Sequence, residues 1–300
     1  MKKIITFLAL FLTVGIANAQ TDWQKEELKG KVKELTEKRK KSMKDVPPSE
    51  WAIIQDKTLV FNIQGYKTES NDLNYEKRDE NHIAYEYDAK VKLVLEKDLS
   101  SRGEPRVVKG YAYDKKNNLI TEVKYDIFGK PTEGTIYTYD KSNNLVKIES
   151  ENTGYGTSEK TYTYNSKNQI IEENEASWHG RYRYTFEYDS KGNITAKNEY
   201  NSKQITNTVK SQYADNGKIS EETTFTYKDG EAPKKTYYRT YKYDAMNNLT
   251  EYISQSHHLT TPFTTTYKYE YDTFKNWVKR EKYDNKNLKE IIERKIVYFE

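Results

Sequence analysis

Arg181-Tyr182-Arg183-Tyr184-Thr185-Phe186-Glu187-Tyr188-Asp189-Ser190-Lys191-Gly192-Asn193-Ile194 decides the fold. Tyr182, Tyr184, Phe186 and Tyr188 alternate with Arg181, Arg183, Thr185 and Glu187. That is the period-two pattern of a strand with one aromatic face. Asp189 suits the start of a turn, because its carboxylate can accept a backbone N–H two residues on. Gly192 tolerates the left-handed backbone that a hairpin loop of this length needs. Ile194 then opens a returning strand. The stretch reads as one β-hairpin.

The hairpin repeats. Anchor tyrosines stand at Tyr87, Tyr113, Tyr139, Tyr164, Tyr188, Tyr213, Tyr243 and Tyr271. Two residues earlier come Tyr85, Tyr111, Tyr137, Tyr162, Phe186, Ser211, Tyr241 and Tyr269. Six residues later the column is apolar throughout: Leu93, Leu119, Leu145, Ile170, Ile194, Ile219, Leu249 and Trp277. Such self-similarity marks a repeat architecture. Asn117, Asn143, Asn168, Gly192, Gly217 and Asn247 occupy the left-handed turn position. Val91 and Lys275 occupy it in the first and last copies, so those two turns are expected to differ. The expected fold is all-β: tandem β-hairpins in one long curled antiparallel sheet of about 18 strands, an open spiral or partial shell with the Tyr face inward.

Lys2 and Lys3, the apolar run Ile4 to Ile16 and Ala17-Asn18-Ala19 read as a signal peptide cut after Ala19. Export to the periplasm or beyond is therefore expected. The apolar run is short for a membrane span, and no other follows. With no Cys in the chain, neither a lipoprotein anchor nor a disulfide framework is expected. Residues 20–50 read as a short helix or strand and a linker. Over Asp22 to Met43 a helix competes with a lone strand Val32 to Lys38. Residues 51–300 form the repeat domain.

Composition narrows the function. Charged residues make up 32% and hydrophobic ones only 35%, yet 28 Tyr bring aromatics to 14%, so Tyr supplies the burial of a folded chain. The net charge of +4 falls to +2 once Lys2 and Lys3 are removed (4 − 2), with no basic block, which argues against nucleic acid. His82, His179, His257 and His258 have no metal-ligand spacing, and the adjacent pair would face opposite ways on a strand. No nucleophile elbow, phosphate loop or zinc-protease motif is present. The chain is read as a non-enzyme without cofactor or metal. A glycoside-active carboxylate pair is the alternative among its 46 acids. The turn carboxylates Asp114, Asp140, Asp189, Asp244 and Asp272 are too sparse for calcium. The polar second face argues against an outer-membrane barrel.

Tyr111-Ala112-Tyr113-Asp114-Lys115-Lys116-Asn117-Asn118-Leu119 and Phe186 to Ile194 resemble the YD-repeat (RHS repeat) family. The resemblance runs from about Tyr85 to the C-terminus. It implies a spiral of hairpins; some members are shells around a toxin domain, others carbohydrate-binding or cell-surface proteins. Here Asn-Asn mostly replaces the family's Gly-Arg before the apolar column. The repeats run to the last residues, so no long C-terminal toxin segment is expected.

The candidate ligand-binding face is aromatic: Tyr111, Tyr113, Tyr137, Tyr139, Tyr162, Tyr164, Tyr188, Tyr243 and Trp277. Tyrosine combines a large apolar body with a polar tip, suiting both a half-wet sheet core and a platform for sugar rings. The expected function is an exported, non-catalytic binding and scaffold protein, with a polysaccharide or another envelope component as partner. The alternative is a structural shell or protein-interaction module.

Overall fold

The structure, a computed structural model, describes residues 20–100 and 104–300. The expected signal peptide at residues 1–19 lies outside them. A single turn of helix, α1 (Asp22–Lys25), comes first, closed by a capping box between Thr21 and Gln24. Next are β1 (Val32–Lys41), a 3₁₀ turn at Pro48–Glu50, β2 (Ile53–Phe61), β3 (Lys67–Asn74), β4 (Asp79–Tyr87) and β5 (Leu93–Asp98). The middle of the chain supplies β6 (Arg106–Tyr113), β7 (Leu119–Tyr125), β8 (Pro131–Tyr139), β9 (Leu145–Asn152) and β10 (Gly156–Tyr164). Then follow β11 (Ile170–Ser177), β12 (Gly180–Tyr188), β13 (Ile194–Asn201), β14 (Gln204–Tyr213) and β15 (Ile219–Thr226). The last five are β16 (Lys234–Tyr243), β17 (Leu249–Ser256), β18 (Phe263–Tyr271), β19 (Trp277–Asp284) and β20 (Asn287–Tyr298). The undecided N-terminal stretch is thus a short helix followed by a strand.

The twenty strands form one sheet in which each pairs antiparallel with the next. The first also pairs with the last, from Val32 opposite Tyr298 to Lys41 opposite Glu290. β1 therefore has partners on both sides, β2 and β20. The sheet closes into an up-and-down barrel, which corrects the expected open spiral or partial shell. An open sheet would leave two rows of unpaired backbone groups, and closure removes both.

The curl has a repeated local cause. At every anchor tyrosine the register slips by one residue, between Glu86 and Tyr87 in the first copy and between Glu270 and Tyr271 in the last. Such bulges bend a strand and increase its twist. Beyond each anchor the turns share one geometry. Asp114 N–H donates to Asn118 O and Asn117 N–H to Asp114 O, and Asp114 Oδ1 accepts from the backbone of Lys116 and Asn118. Val91 (φ 60°) and Lys275 (φ 65°) adopt the same left-handed conformation as Asn117 (φ 69°). The two turns expected to differ do not, because the backbone bonds to Asp88 and Asp272 hold the loop whatever the side chain.

The Tyr face is the inner one. Asp22 Oδ2 accepts from Lys67 N–H on β3, and Glu27 pairs with Lys218 in the β14–β15 turn. Along the wall those points are about eight strand steps apart, roughly 38 Å. The five intervening residue steps reach about 30 Å even with side chains extended. The segment must cross as a chord, which only a concave face permits. Its Lys25, Glu26 and Glu27 lie against Tyr243, Tyr269 and Trp277.

The apolar core is confined to the closure. Leu28, Val32, Leu35, Leu59 and Phe61 form one cluster, with Trp23, Ile296 and Tyr298 packed against it. Among the described residues from β5 to β19, the only buried apolar one is Ala196. A barrel of this strand number encloses more space than one wall of side chains fills. The outer face carries charged residues such as Arg183, Glu187, Lys210, Glu251 and Lys279.

Candidate functional site

Period-two alternation sends all nine predicted aromatic residues to the lumen wall, but it does not leave them equally available. The anchor phenols are engaged by the sheet. Tyr113 Oη donates to Leu93 O, Tyr139 to Leu119 O, Tyr164 to Leu145 O, Tyr188 to Ile170 O and Tyr243 to Ile219 O. Each bond ties one hairpin to the apolar column of the hairpin before it. In the last copy Tyr269 makes this bond, to Leu249 O, while Tyr271 turns to Asp244.

The row behind the anchors meets carboxylates. Tyr111 donates to Glu96, Tyr137 to Glu122 and Tyr241 to Glu222. Burial pushes Tyr137, Tyr162 and Tyr164 up to about 12, with neighbouring carboxylates adding to the shift at Tyr137 and Tyr162. Deeper along the wall lie ion pairs: Lys124 with Glu133, Lys160 with Glu175, Arg294 with Glu37. Two of these acids, Glu96 and Glu122, flank Lys109, each 3.8 Å from its Nζ.

The turn carboxylates do turn chemistry. Bonds from Asn118, Asn144 and Asn193 hold Asp114, Asp140 and Asp189 below the usual carboxylate range. Amides link neighbouring turns, Asn118 with Asn143 and Asn216 with Asn247. No cluster of three potential metal ligands occurs among the described residues. His257 and His258 sit in the β17–β18 loop with ring centres 3.6 Å apart, not on opposite faces of a strand.

Aromatic groups concentrate between β16 and β20. Tyr241 and Tyr252 rings lie 5.4 Å apart, Tyr269 and Tyr271 6.1 Å, Tyr269 and Trp277 6.2 Å. Arg294 stacks on Trp277 at 3.3 Å from the ring centre and bonds to Glu37 at 2.9 Å. Burial lowers the Arg294 guanidinium from its ordinary value, and Glu37 opposes that shift. Across from this wall runs the N-terminal chord. Between them is a cavity of about 350 Å³, lined by Tyr243, Tyr269, Trp277, Arg280 and Arg294 on the wall and by Lys25 to Glu27 on the chord. Tyr243 and Trp277 were legible as repeat columns. Lys25, Glu26 and Glu27 were not, since nothing in their own spacing says that they face residues over two hundred positions away.

Fold and site define a closed, hollow all-β barrel with an aromatic and ionic lumen. No protein-family model matches the chain, and no curated protein matches it. Among solved structures, a TcdB2–TccC3–Cdc42 complex is similar over 78% of this chain and 14% of that chain, at 15% identity and a TM-score of 0.44. A porin-like protein from Bacteroides uniformis is similar over 89% and 96%, at 12% identity and 0.38. A TcdB2–TccC3 complex is similar over 82% and 17%, at 12% and 0.34. The chain spans a small part of the toxin-complex chains it resembles. With identities this low and TM-scores below 0.5, fold and closure alike rest on the strand pairing of this chain.

Proposed function

We propose that this protein is an exported, non-catalytic binding and scaffold barrel that takes a glycan of the cell envelope against the aromatic sector of its lumen, and that its hairpins are short-form YD-type repeats. The observation that carries the reading is the cavity between Trp277 and the N-terminal chord. Tyr243, Tyr269 and Trp277 offer ring faces for the apolar side of a sugar, while Lys218, Arg280, Asn247 and Asn248 offer donors for its hydroxyls and carboxylates. Small-ligand sites typically combine such an apolar wall with a few convergent polar groups. The rival reading, a shell whose outer surface binds protein, draws support from the anchor phenols, since their hydroxyls are already engaged by the sheet.

A glycan array probed with residues 20–300 tests this, followed by calorimetric titration of any hit. Trp277→Leu and Lys218→Ala are each expected to weaken binding about tenfold, with circular dichroism unchanged for Lys218→Ala. An empty array, or a hit indifferent to both substitutions, would sink the glycan reading.

A further inference from the structure

Between β6 and β13 the two rims of the barrel use the same turn with opposite tips; elsewhere on the chord-side rim Phe274 is an apolar tip, 49% exposed. On the chord-side rim the residues one and two after the turn Asp or Asn are Lys115-Lys116, Lys141-Ser142, Ser166-Lys167 and Ser190-Lys191. The β7–β8 turn at the other rim repeats that geometry. Asp126 Oδ1 accepts from Phe128 and Lys130 N–H at 2.9 Å each, and Gly129 (φ 74°) takes the left-handed position. Its tip, however, is Ile127-Phe128, 65% and 87% exposed. The turn does not require apolar tips, as its polar copies show. The next two loops on this rim continue the pattern, with Tyr155 (68% exposed) between β9 and β10 and Trp178 (64%) between β11 and β12. Those two rings stack with centres 6.1 Å apart and planes at 18°.

These side chains protrude from convex loop ends. Neither the cavity at Trp277 nor the one beside Tyr85 includes any of them. Among residues 126–131, 153–156, 178–182 and 202–204 the full charges are Lys130, Arg181 and Lys203, all exposed, against Asp126, whose Oδ1 is held in its turn; the neighbouring Asp229 accepts from Gln204. Protruding Phe, Tyr and Trp partition into the headgroup region of a bilayer, and cations beside them favour anionic lipid. We infer that this rim sector is a docking face for an anionic lipid surface, holding the barrel end-on through Ile127, Phe128, Tyr155 and Trp178. The contact is peripheral and reversible, because four tips bury little apolar area.

The test uses residues 20–300 with vesicles of phosphatidylcholine alone and of phosphatidylcholine with phosphatidylglycerol in equal parts. Trp178 is the one exposed tryptophan of the four, so its emission reports insertion. Sedimentation with the mixed vesicles and a blue shift are expected. Phe128→Ser should weaken binding about tenfold and Lys130→Gln with Lys203→Gln by a similar factor. Ile136→Ser, an exposed apolar change on the barrel wall, should leave it unchanged. Circular dichroism checks that each variant is folded. The inference is overturned by absence of binding, by equal binding to both vesicle types, by indifference to Phe128→Ser, or by a soluble polysaccharide displacing the vesicles from these tips.

Discussion

Between β20 and β2 the inner wall carries Val32, Leu35, Leu59, Phe61 and Ile292, each at most 2% exposed. Between β6 and β17 the same wall carries phenols, carboxylates and lysines, none of them fully buried except the small Thr135 and, beside the turn, Asn144. The seam is held as an ordinary globular core is held, by removing apolar area from water. The arc is held by backbone ladders, phenol-to-carbonyl bonds and ion pairs, repeated hairpin after hairpin. The difference assigns the repeats to the making of wall and the irregular ends to the making of a closed object.

The largest expected effect lies at the seam. Leu59→Ala should cost about 2–5 kcal/mol, as burial lost plus a cavity. Leu59 packs on Leu35 of β1, and β1 is the only strand joining the two ends of the sheet. The loss should therefore be felt around the ring, with amide protection falling in β8 to β12 as well as in β1, β2 and β20. Hydrogen exchange measures this. If the arc kept its protection while the seam opened, the repeats would be stable as an open sheet and the comparison would fail.

The seam was the part of the fold least legible in the sequence. Tyr-x-Tyr alternation, the turn Asp and the apolar column specify each hairpin locally, so hairpins and inner face could be read directly. Val32 to Lys41 is VKELTEKRKK, seven of its ten residues basic or acidic side chains of the kind seen on solvated strands and helices alike, alongside Val32, Leu35 and Thr36. Its partner Glu290 to Tyr298 lies at the far end of the chain, and no periodicity connects the two. Arg294 is the extreme case. Its ion pair with Glu37 spans 257 positions, and its stack on Trp277 builds the wall of the cavity.

A middle-sized effect separates turn chemistry from turn sequence. Asn117→Val at φ 69° should cost about 1–2 kcal/mol. The first copy already carries a β-branched residue at this position, Val91 at φ 60°. Val91→Asn should accordingly stabilise by a similar amount, about 1–2 kcal/mol, while Lys116→Val, outside the left-handed position, should change little. Thermal melts of the three variants give the comparison directly. A loss on Val91→Asn would mean that the Val side chain contributes packing that outweighs its strained backbone.

The smallest effect per residue belongs to the arc, and it tests what the phenols do. Tyr139→Phe keeps the ring and removes only the hydroxyl that donates to Leu119 O, so about 0.5–1.5 kcal/mol should be lost. The same bond recurs at Tyr113, Tyr164, Tyr188 and Tyr243, and losses at anchors several hairpins apart, such as Tyr139 and Tyr243, should add. Alkali reaches the whole inner wall at once. The folded barrel holds Tyr137, Tyr162 and Tyr164 near 12, above the value of about 10 for a free phenol. A group raised in the folded state gives its full contribution below the unfolded value and loses it as pH rises through the folded one. Stability should thus hold to about pH 10 and fall steeply between about 10 and 12. Phenolate absorbance and circular dichroism followed together should then change in one step, since a phenol can ionise freely only when its wall opens. Were the phenolates to form well before the strands melt, the phenols would be open to the lumen solvent, and their hydroxyls would be decoration on the arc and not its ties.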